Sequence, residues 1–361
     1  MSQLQQLKTM NEQLVQVSCE TGKERVSCFP TTMILSPSNK CNFRCKTCLP
    51  EGEKRVLETL DWSAILKLEP IMPYIRTLDV VGGEPLFMDD FTKILRWAER
   101  FQCKVETVTN GYLLDERWRN KLLPVLENIR VSVDGATDET YKRIRGHDLN
   151  TVLKNIAELS KLKLTVGSAT PHIEINFVAM RSNVHELGKL VVLASQLGVR
   201  QINVIYMHCY TETLARESLY FYQDYSDAHM LKAFGMGVKL GVKVNIPGLF
   251  KDAREKKEHP KLSTGESKCS APWHFISIRH SGEVDICCGG APSSGNLNEN
   301  TIEEIWNNRF RQNLRKVINT PLEPVYCKNC FHGGANLLEI GRHIPNLELA
   351  EKMKDYVPLD L

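Results

Sequence analysis

Between residues 31 and 207, short apolar runs alternate with longer amphipathic stretches. The runs fall at residues 31–35, 77–81, 104–109, 128–133, 173–179 and 201–207, and they are rich in Val, Ile and Thr, the composition of strands. Between them, residues 91–101, 115–126 and 185–197 repeat apolar positions at helical spacing. Strand, helix, strand in this order predicts a parallel sheet with crossover helices, and six such units predict an α/β fold, a partial (β/α)6 barrel of the TIM type. Chemistry in such barrels gathers at the C-terminal ends of the strands. Past residue 208 the rhythm changes. Residues 224–240 read as a helix, 243–246 as a short strand and 251–268 as a charged surface loop. Runs at 275–279 and 283–286 flank His280-Ser281-Gly282 and predict a β-hairpin. Thr301 and Glu304 form a capping-box match that opens a helix to about residue 318. The chain thus divides into an N-terminal extension (1–30), a barrel core (31–235), a bridge (236–268), a small α+β cysteine-rich unit (269–335) and a tail (336–361).

Composition narrows the function. Hydrophobic residues make up 42% of the 361 and charged residues 25%, ordinary values for a globular chain. A net charge of +3 draws the protein neither to nucleic acid nor to an anionic membrane. No apolar run is long enough to span a bilayer, and the polar first 16 residues lack the pattern of a signal peptide. The expected location is the cytoplasm. Twelve cysteines in such a chain point to metal ligation rather than disulfides.

Three of them, Cys41, Cys45 and Cys48, form a C-x3-C-x2-C string directly after the first strand, with no fourth cysteine nearby. Thiolates are the usual ligands of iron–sulfur clusters. Three thiolates on a four-iron cubane leave one iron open to a small chelating molecule. The competing reading is a structural zinc knuckle, although zinc prefers closed sets of four ligands. The string resembles the cluster motif of the radical S-adenosylmethionine (radical SAM) superfamily. That resemblance implies that SAM chelates the open iron of a [4Fe–4S] cluster. It also implies reductive cleavage of SAM to a 5′-deoxyadenosyl radical that takes a hydrogen atom from substrate, with a donor such as flavodoxin or ferredoxin supplying electrons.

Further segments resemble that family. Gly82-Gly83-Glu84-Pro85 ends the second strand. The glycines allow close backbone approach, and Glu84 is expected to meet the SAM amino group. Asn110, after the third strand, and Ser132, in Ser132-Val133-Asp134-Gly135 after the fourth, resemble the strand-end motifs that contact the ribose and methionyl parts of SAM. Arg145 resembles the arginine brought to the SAM carboxylate, a pairing suited to a guanidinium fork. The family's aromatic residue before the third cysteine is replaced by Thr47. Adenine contact therefore falls to Phe43 or the region 176–178.

Cys269, Gly282 and Cys287 have the opening spacing of the family's SPASM extension, and Cys327-x2-Cys330 follows. Asn336 stands where the next cysteine would fall, so the set resembles the shorter twitch version. Cys269, Cys287, Cys327 and Cys330 would close one auxiliary [4Fe–4S] cluster. Cys288 is a rival for Cys287, and a zinc ribbon is the alternative. A closed auxiliary cluster suits electron acceptance after hydrogen abstraction, hence dehydrogenation or crosslinking of a peptide or small polar molecule. A second outcome is epimerisation, with Cys209 beyond the sixth strand as hydrogen donor; a buried packing cysteine is the other reading of that residue. Tyr206, His208 and Tyr210 are candidate proton-transfer groups. The reading from a different class is a non-enzymatic protein stabilised by zinc or a cluster.

Overall fold

The computed structural model describes residues 2–48, 56–255, 268–288, 291–328, 330 and 337–357. Six parallel strands build the barrel: β1 (Thr32–Leu35), β2 (Thr77–Val80), β3 (Lys104–Thr109), β4 (Leu126–Ser132), β5 (His172–Ala179) and β6 (Gln201–Tyr206). The sheet does not stop there. β7 (Lys243–Asn245), from the bridge, adds in parallel beyond β6. On the other edge β8 (Phe275–Ile278) lies parallel to β1, with Thr32 opposite Phe275. The antiparallel strands β9 (Glu283–Asp285) and β10 (Ser293–Asn296) follow. The order is β10-β9-β8-β1-β2-β3-β4-β5-β6-β7, one sheet of ten strands. The predicted hairpin therefore forms, but as a continuation of the barrel sheet. An open barrel leaves the β1 edge with unpaired backbone groups, and β8 satisfies them.

Alternation along the strands separates two faces. Met33, Leu35, Leu78, Val80, Val105, Ile129, Val131, Ile175, Phe177 and Ile202 are fully buried. The helices cover this face; Phe91–Arg100, for example, buries Phe91, Ile94, Leu95, Trp97 and Ala98. The opposite, half-buried face carries Asp79, Glu106, Asn128, Arg130, Glu174, Asn176, Asn203 and Asn245.

Several element boundaries move for identifiable reasons. The helix expected at 115–126 spans Glu116–Leu122, because Pro124 cannot continue it and β4 begins at Leu126. Asp115 caps it by accepting from the Trp118 N–H at 2.9 Å. The capping box at Thr301 is present, but its helix breaks into Ile302–Trp306 and Arg309–Val317 where Asn308 caps the second piece. Of the expected surface loop, residues 251–254 belong to the helix Phe250–Arg254, and 256–267 lie outside the described residues. Asn336 lies outside them too.

The first 30 residues are built into the fold. Helix Gln3–Glu20 buries Lys8, Asn11 and Ser18, while Leu14 is exposed. Lys8 Nζ donates to the Ile75 carbonyl, and Asn11 exchanges two hydrogen bonds of 2.9 Å with the Phe29 backbone. Residues 337–357 pack against the rim of the strand ends. Ile344, Ala350 and Met353 join Met180, Met207, Cys209 and Leu214 in a second apolar cluster. No described helix is long and apolar enough to cross a membrane.

Candidate active site

The segment leading from β1 into the cysteine string is fixed by β2. Gly83 N–H donates to the Ser38 carbonyl and Glu84 N–H to the Lys40 carbonyl, both at 2.8 Å. A Cβ on Gly83 would sit 1.9 Å from the Lys40 oxygen, and one on Gly82 (φ +122°) 2.4 Å from the Ser38 oxygen. These two glycines bring the β2 turn against the cysteine loop. Further along, Lys46 N–H donates to the Ile144 carbonyl at 3.0 Å. The Phe43 N–H points at Cys41 Sγ (3.3 Å).

The expected SAM-contact residues form two braces around the same thiols. Glu84 is 1% exposed. Its carboxylate accepts from Thr109 Oγ1 (2.6 Å), Asn110 N (2.7 Å) and Leu86 N (3.1 Å). Burial pushes its pKa up, and those donors pull it back. Asn110 in turn donates through Nδ2 to Asn42 Oδ1 at 2.8 Å and lies 4.0 Å from Cys41 Sγ. The second brace centres on Asp134, which is fully buried. Its Oδ2 takes Arg145 Nε and Nη2, each at 2.6 Å, and its Oδ1 accepts from Val178 N at 2.8 Å. Arg145 Nη1 reaches Cys45 Sγ at 3.8 Å. Burial opposes the Arg145 charge, but Asp134 and Cys45 outweigh it and hold the guanidinium well above its usual pKa. Burial raises the Cys45 thiol, and Arg145 pulls it back. Ser132 ends β4 opposite Asn176 and is nearly buried. Phe43 has one ring face covered by His147, stacked at 3.8 Å between centroids. Asp134 was not singled out by the sequence reading, although it belongs to the same strand-end string as Ser132.

No disulfide joins any of the described cysteines. Cys287 and Cys330 lie near enough to Cys269 and Cys327 to help raise the thiol pKa of those two. Burial first, then this crowding, pushes Cys327 up to about 12. Cys288 couples to Cys287 and Cys330 as well. Asn319, at φ +63°, clamps Cys269 by hydrogen bonds to its N–H (2.6 Å) and carbonyl (3.0 Å). Among the described residues, no three His, Cys, Asp or Glu side chains converge closely enough for a single ion. A cubane is wider than one ion. The donor set fits it: two separate groups of thiols, one with N–H donors and a guanidinium turned toward its sulfurs.

The half-buried sheet face carries a polar network. Arg130 pairs with Asp79 (2.5 Å) and Glu106 (3.4 Å). Glu174 accepts from Asn128 (3.0 Å) and Asn203 (2.7 Å), and Asn245 donates to Asn203 (2.8 Å). Asp79 Oδ1, Asn128 Oδ1 and Arg130 Nε are buried there without a hydrogen-bond partner. The sequence signal was available: charged and amide residues at alternate positions of otherwise apolar strands. Cys209 lies elsewhere. It is fully buried under the tail, its N–H donating to the His343 carbonyl at 2.8 Å, and burial pushes its thiol up to about 12. Tyr206 O–H donates to the Gly248 carbonyl at 2.9 Å, and Tyr210 is exposed. Burial, with Arg342 nearby, lowers the His208 pKa.

An open parallel barrel with three thiols at the end of its first strand and four more beside an added hairpin defines an iron–sulfur protein of the barrel type. Comparison narrows this. Residues 35–191 match the model of the radical SAM superfamily, and residues 269–331 match an iron–sulfur cluster-binding domain of the SPASM type. The chain thus carries a radical SAM domain followed by a C-terminal SPASM domain, and these imply SAM, a [4Fe–4S] cluster and auxiliary iron–sulfur clusters as its cofactors. Curated relatives include a probable GTP 3′,8-cyclase of Saccharolobus islandicus (strain L.S.2.15 / Lassen #1), 32% identical over 46% of this chain and 54% of the relative. Another, from Sulfurisphaera tokodaii, is 30% identical over 46% of this chain and 53% of the relative. The chain spans about half the length of these relatives. Among solved structures, Streptococcus suis SuiB bound to S-adenosylmethionine superposes with a TM-score of 0.65 at 15% identity, covering 91% of this chain and 77% of that one. The anSMEcpe protein with bound AdoMet gives 0.57 at 16% identity, covering 90% and 96%. At such identities the likeness is one of fold.

Proposed function

We propose that this radical SAM enzyme oxidises a small polar molecule, by dehydrogenation or internal bond formation, with the auxiliary cluster as electron acceptor. Cys41, Cys45 and Cys48 would hold the SAM-binding cluster, and Cys269, Cys287, Cys327 and Cys330 the auxiliary one. When bound, the first cluster supplies the electron that cleaves SAM to methionine and the 5′-deoxyadenosyl radical. The chain's own residues do the rest. Glu84 holds the Asn110 turn beside Cys41. Asp134 holds Arg145 beside Cys45, where the guanidinium offsets thiolate charge. Gly82 and Gly83 set the spacing between the β2 turn and the cysteine loop. Ser132 and Asn110 offer polar groups at the strand ends.

The observation that carries the substrate class is the network of Asp79, Glu106, Arg130 and Glu174 on the half-buried sheet face, with its buried, unpartnered polar atoms. Such atoms are stable only when a polar group or water meets them. A small polar substrate suits that face better than an apolar one does. The relatives' name gives one specific candidate, GTP, for an internal cyclisation. A peptide substrate is the second reading; it draws on the fold shared with SuiB, solved with its precursor peptide SuiA. The epimerase reading requires Cys209 to emerge from beneath the tail.

The test is anaerobic turnover of the reconstituted protein with SAM and dithionite. We expect 5′-deoxyadenosine, and consumption of a small polar substrate that falls at least ~100-fold in Arg130→Gln while uncoupled SAM cleavage persists. GTP conversion would assign the cyclase chemistry. Absence of 5′-deoxyadenosine from a fully loaded sample would refute the reading, and turnover of a peptide alone would replace the small molecule by the peptide.

A further inference from the structure

On the outer rim, beside the helix Asp138–Arg145 that carries Arg145, lies a cavity of about 420 Å³. That volume is in the range of small-ligand sites. Its walls include Arg143, Arg181, His185, Glu186 and Tyr225. Nothing in the radical chemistry above uses it.

The charges in this cavity are unevenly satisfied. Glu186 is spent: its carboxylate accepts from Ala136 N (2.6 Å), Thr137 N (3.0 Å), Thr137 Oγ1 (2.6 Å) and Thr140 Oγ1 (2.7 Å), holding the first turn of that helix. Glu217 accepts from the Ser182 N–H at 3.0 Å, and Glu139 is exposed at the edge. The two arginines are not ion-paired among the described residues. Arg143 donates only to the Ser182 carbonyl, at 2.9 Å. Arg181 leans on the Tyr222 ring, 5.2 Å from its centroid, and its Nε is buried with no hydrogen-bond partner. A buried guanidinium N–H without an acceptor is an unfavourable arrangement that a ligand oxygen relieves. Opposite stand His185 and His229, with rings 6.5 Å apart, and Tyr225 packs on His229 at 4.6 Å.

We propose that this rim pocket binds an oxyanion, the phosphate or carboxylate group of a small molecule, between Arg143 and Arg181. Guanidinium groups take either oxyanion through paired N–H···O bonds, and the ring under Arg181 holds its fork in place. None of the sheet-face network residues lines this cavity, so the pocket is separate from the proposed substrate seat.

The test is isothermal titration of the reconstituted full chain with pyrophosphate and, separately, with succinate, at about 50 mM sodium chloride so that weak charge pairing is not screened away. We expect one saturable site for at least one probe, weakened at least ~tenfold in Arg181→Gln and in Arg143→Gln, and unchanged in Lys239→Gln, at the far end of the helix Gln223–Leu240 that brings Tyr225 to the cavity. Binding of pyrophosphate alone assigns a phosphate ligand, of succinate alone a carboxylate, and of both an unselective oxyanion site. Arg143 is exposed, so its variant keeps the test alive should Arg181→Gln fail to fold. Absence of a saturable site for both probes, or wild-type affinity in both arginine variants, would overturn the proposal. SAM cleavage does not enter the measurement, so either result leaves the radical reading standing.

Discussion

Gly83→Ala tests what the Gly-Gly turn is for. The new Cβ would lie 1.9 Å from the Lys40 oxygen, 2.5 Å from the Lys40 carbon and 2.6 Å from the Asn39 carbon. These are backbone atoms, so no side chain can swing aside. Relief requires residues 38–40 to move away from β2, which breaks the Gly83–Ser38 and Glu84–Lys40 hydrogen bonds. Two such bonds at about 1 kcal/mol each, with about 1–3 kcal/mol of overpacking, give a local penalty of roughly 3–5 kcal/mol. That is a large fraction of a domain's stability, but it falls on the loop that ends at Cys41. The assay is iron per chain after anaerobic reconstitution, with 5′-deoxyadenosine formation and thermal melting on the same samples. We expect loss of roughly four irons, retention of the auxiliary iron, and a fall of at least ~100-fold in SAM cleavage. Gly235→Ala is the control. It lies within Gln223–Leu240 with nothing within 4 Å of the added Cβ, and should stabilise by about 0.5–1 kcal/mol. Full iron with a raised KM for SAM would refute the reasoning, because the glycine would then serve ligand approach rather than loop docking.

Glu84→Gln keeps one acceptor but turns an N–H₂ toward the Asn110 N–H; about 1–3 kcal/mol of destabilisation and a weakened hold on Cys41 should appear as a lower melting temperature and slower cluster uptake. Cys327→Ala and Cys330→Ala should each remove the auxiliary iron while 5′-deoxyadenosine still forms, measured by iron assay and chromatography. Cys209→Ala should leave turnover intact, since its thiol is covered by the tail; loss of turnover with normal folding would restore the hydrogen-donor role. His343 supplies a pH prediction. Burial, together with Arg342 and His208, depresses its pKa from 6.5 to about 4 against a hydrogen bond to Leu337. A depressed value means the unfolded chain binds the proton more readily, so the stability is complete above pH 6.5 and declines as pH falls toward 4. The ceiling is about 3 kcal/mol. Protection of residues 337–357 against hydrogen exchange, taken relative to the intrinsic rate at each pH, should fall between pH 7 and 5, and His343→Gln should abolish that fall.

Periodicity gave the six barrel strands and the helices near 91–101, 115–126, 185–197 and 224–240, because a sheet covered by helices imposes strong patterns, but the long helix Leu149–Val166 was not read from it. It could not give the pairing of β8 with β1, which joins positions more than 240 residues apart and leaves no local trace. The short strand β10 lies at the length at which alternation is hard to distinguish from a loop. The N-terminal helix buries Lys8, Asn11 and Ser18, paired to backbone carbonyls and neighbouring polar groups, so no apolar stripe announces which of its faces packs inward. At the candidate site the motifs named residues that the structure brings together around one set of thiols, but a motif cannot say which way a carboxylate points. Glu84 turns inward to Thr109 and Asn110, and Arg145 is already engaged by Asp134.

The continuous sheet couples the two thiol groups more directly than a linker between domains would. Leu35 ends β1 opposite Ile278 of β8, and Ser36 N–H donates to the Ile278 carbonyl at 2.9 Å. The hairpin turn after β8 then reaches the approach to Cys41. His280 Nε2 lies 3.5 Å from Asn39 Nδ2, while its Nδ1 pairs with Glu58 at 2.9 Å. Behind the sheet, residues 23–28 bind the cysteine-rich unit through backbone carbonyls. Trp273 donates to Lys23 (2.9 Å), Trp306 to Cys28 (2.7 Å) and Arg315 to Glu24 (3.1 Å). A frame of this kind fixes the separation of the two sets of thiols. Shifting β8 against β1 must therefore disturb both sites at once, whereas a change in the tail, which packs on the rim of β5 and β6, can alter access while leaving both sets of thiols in place.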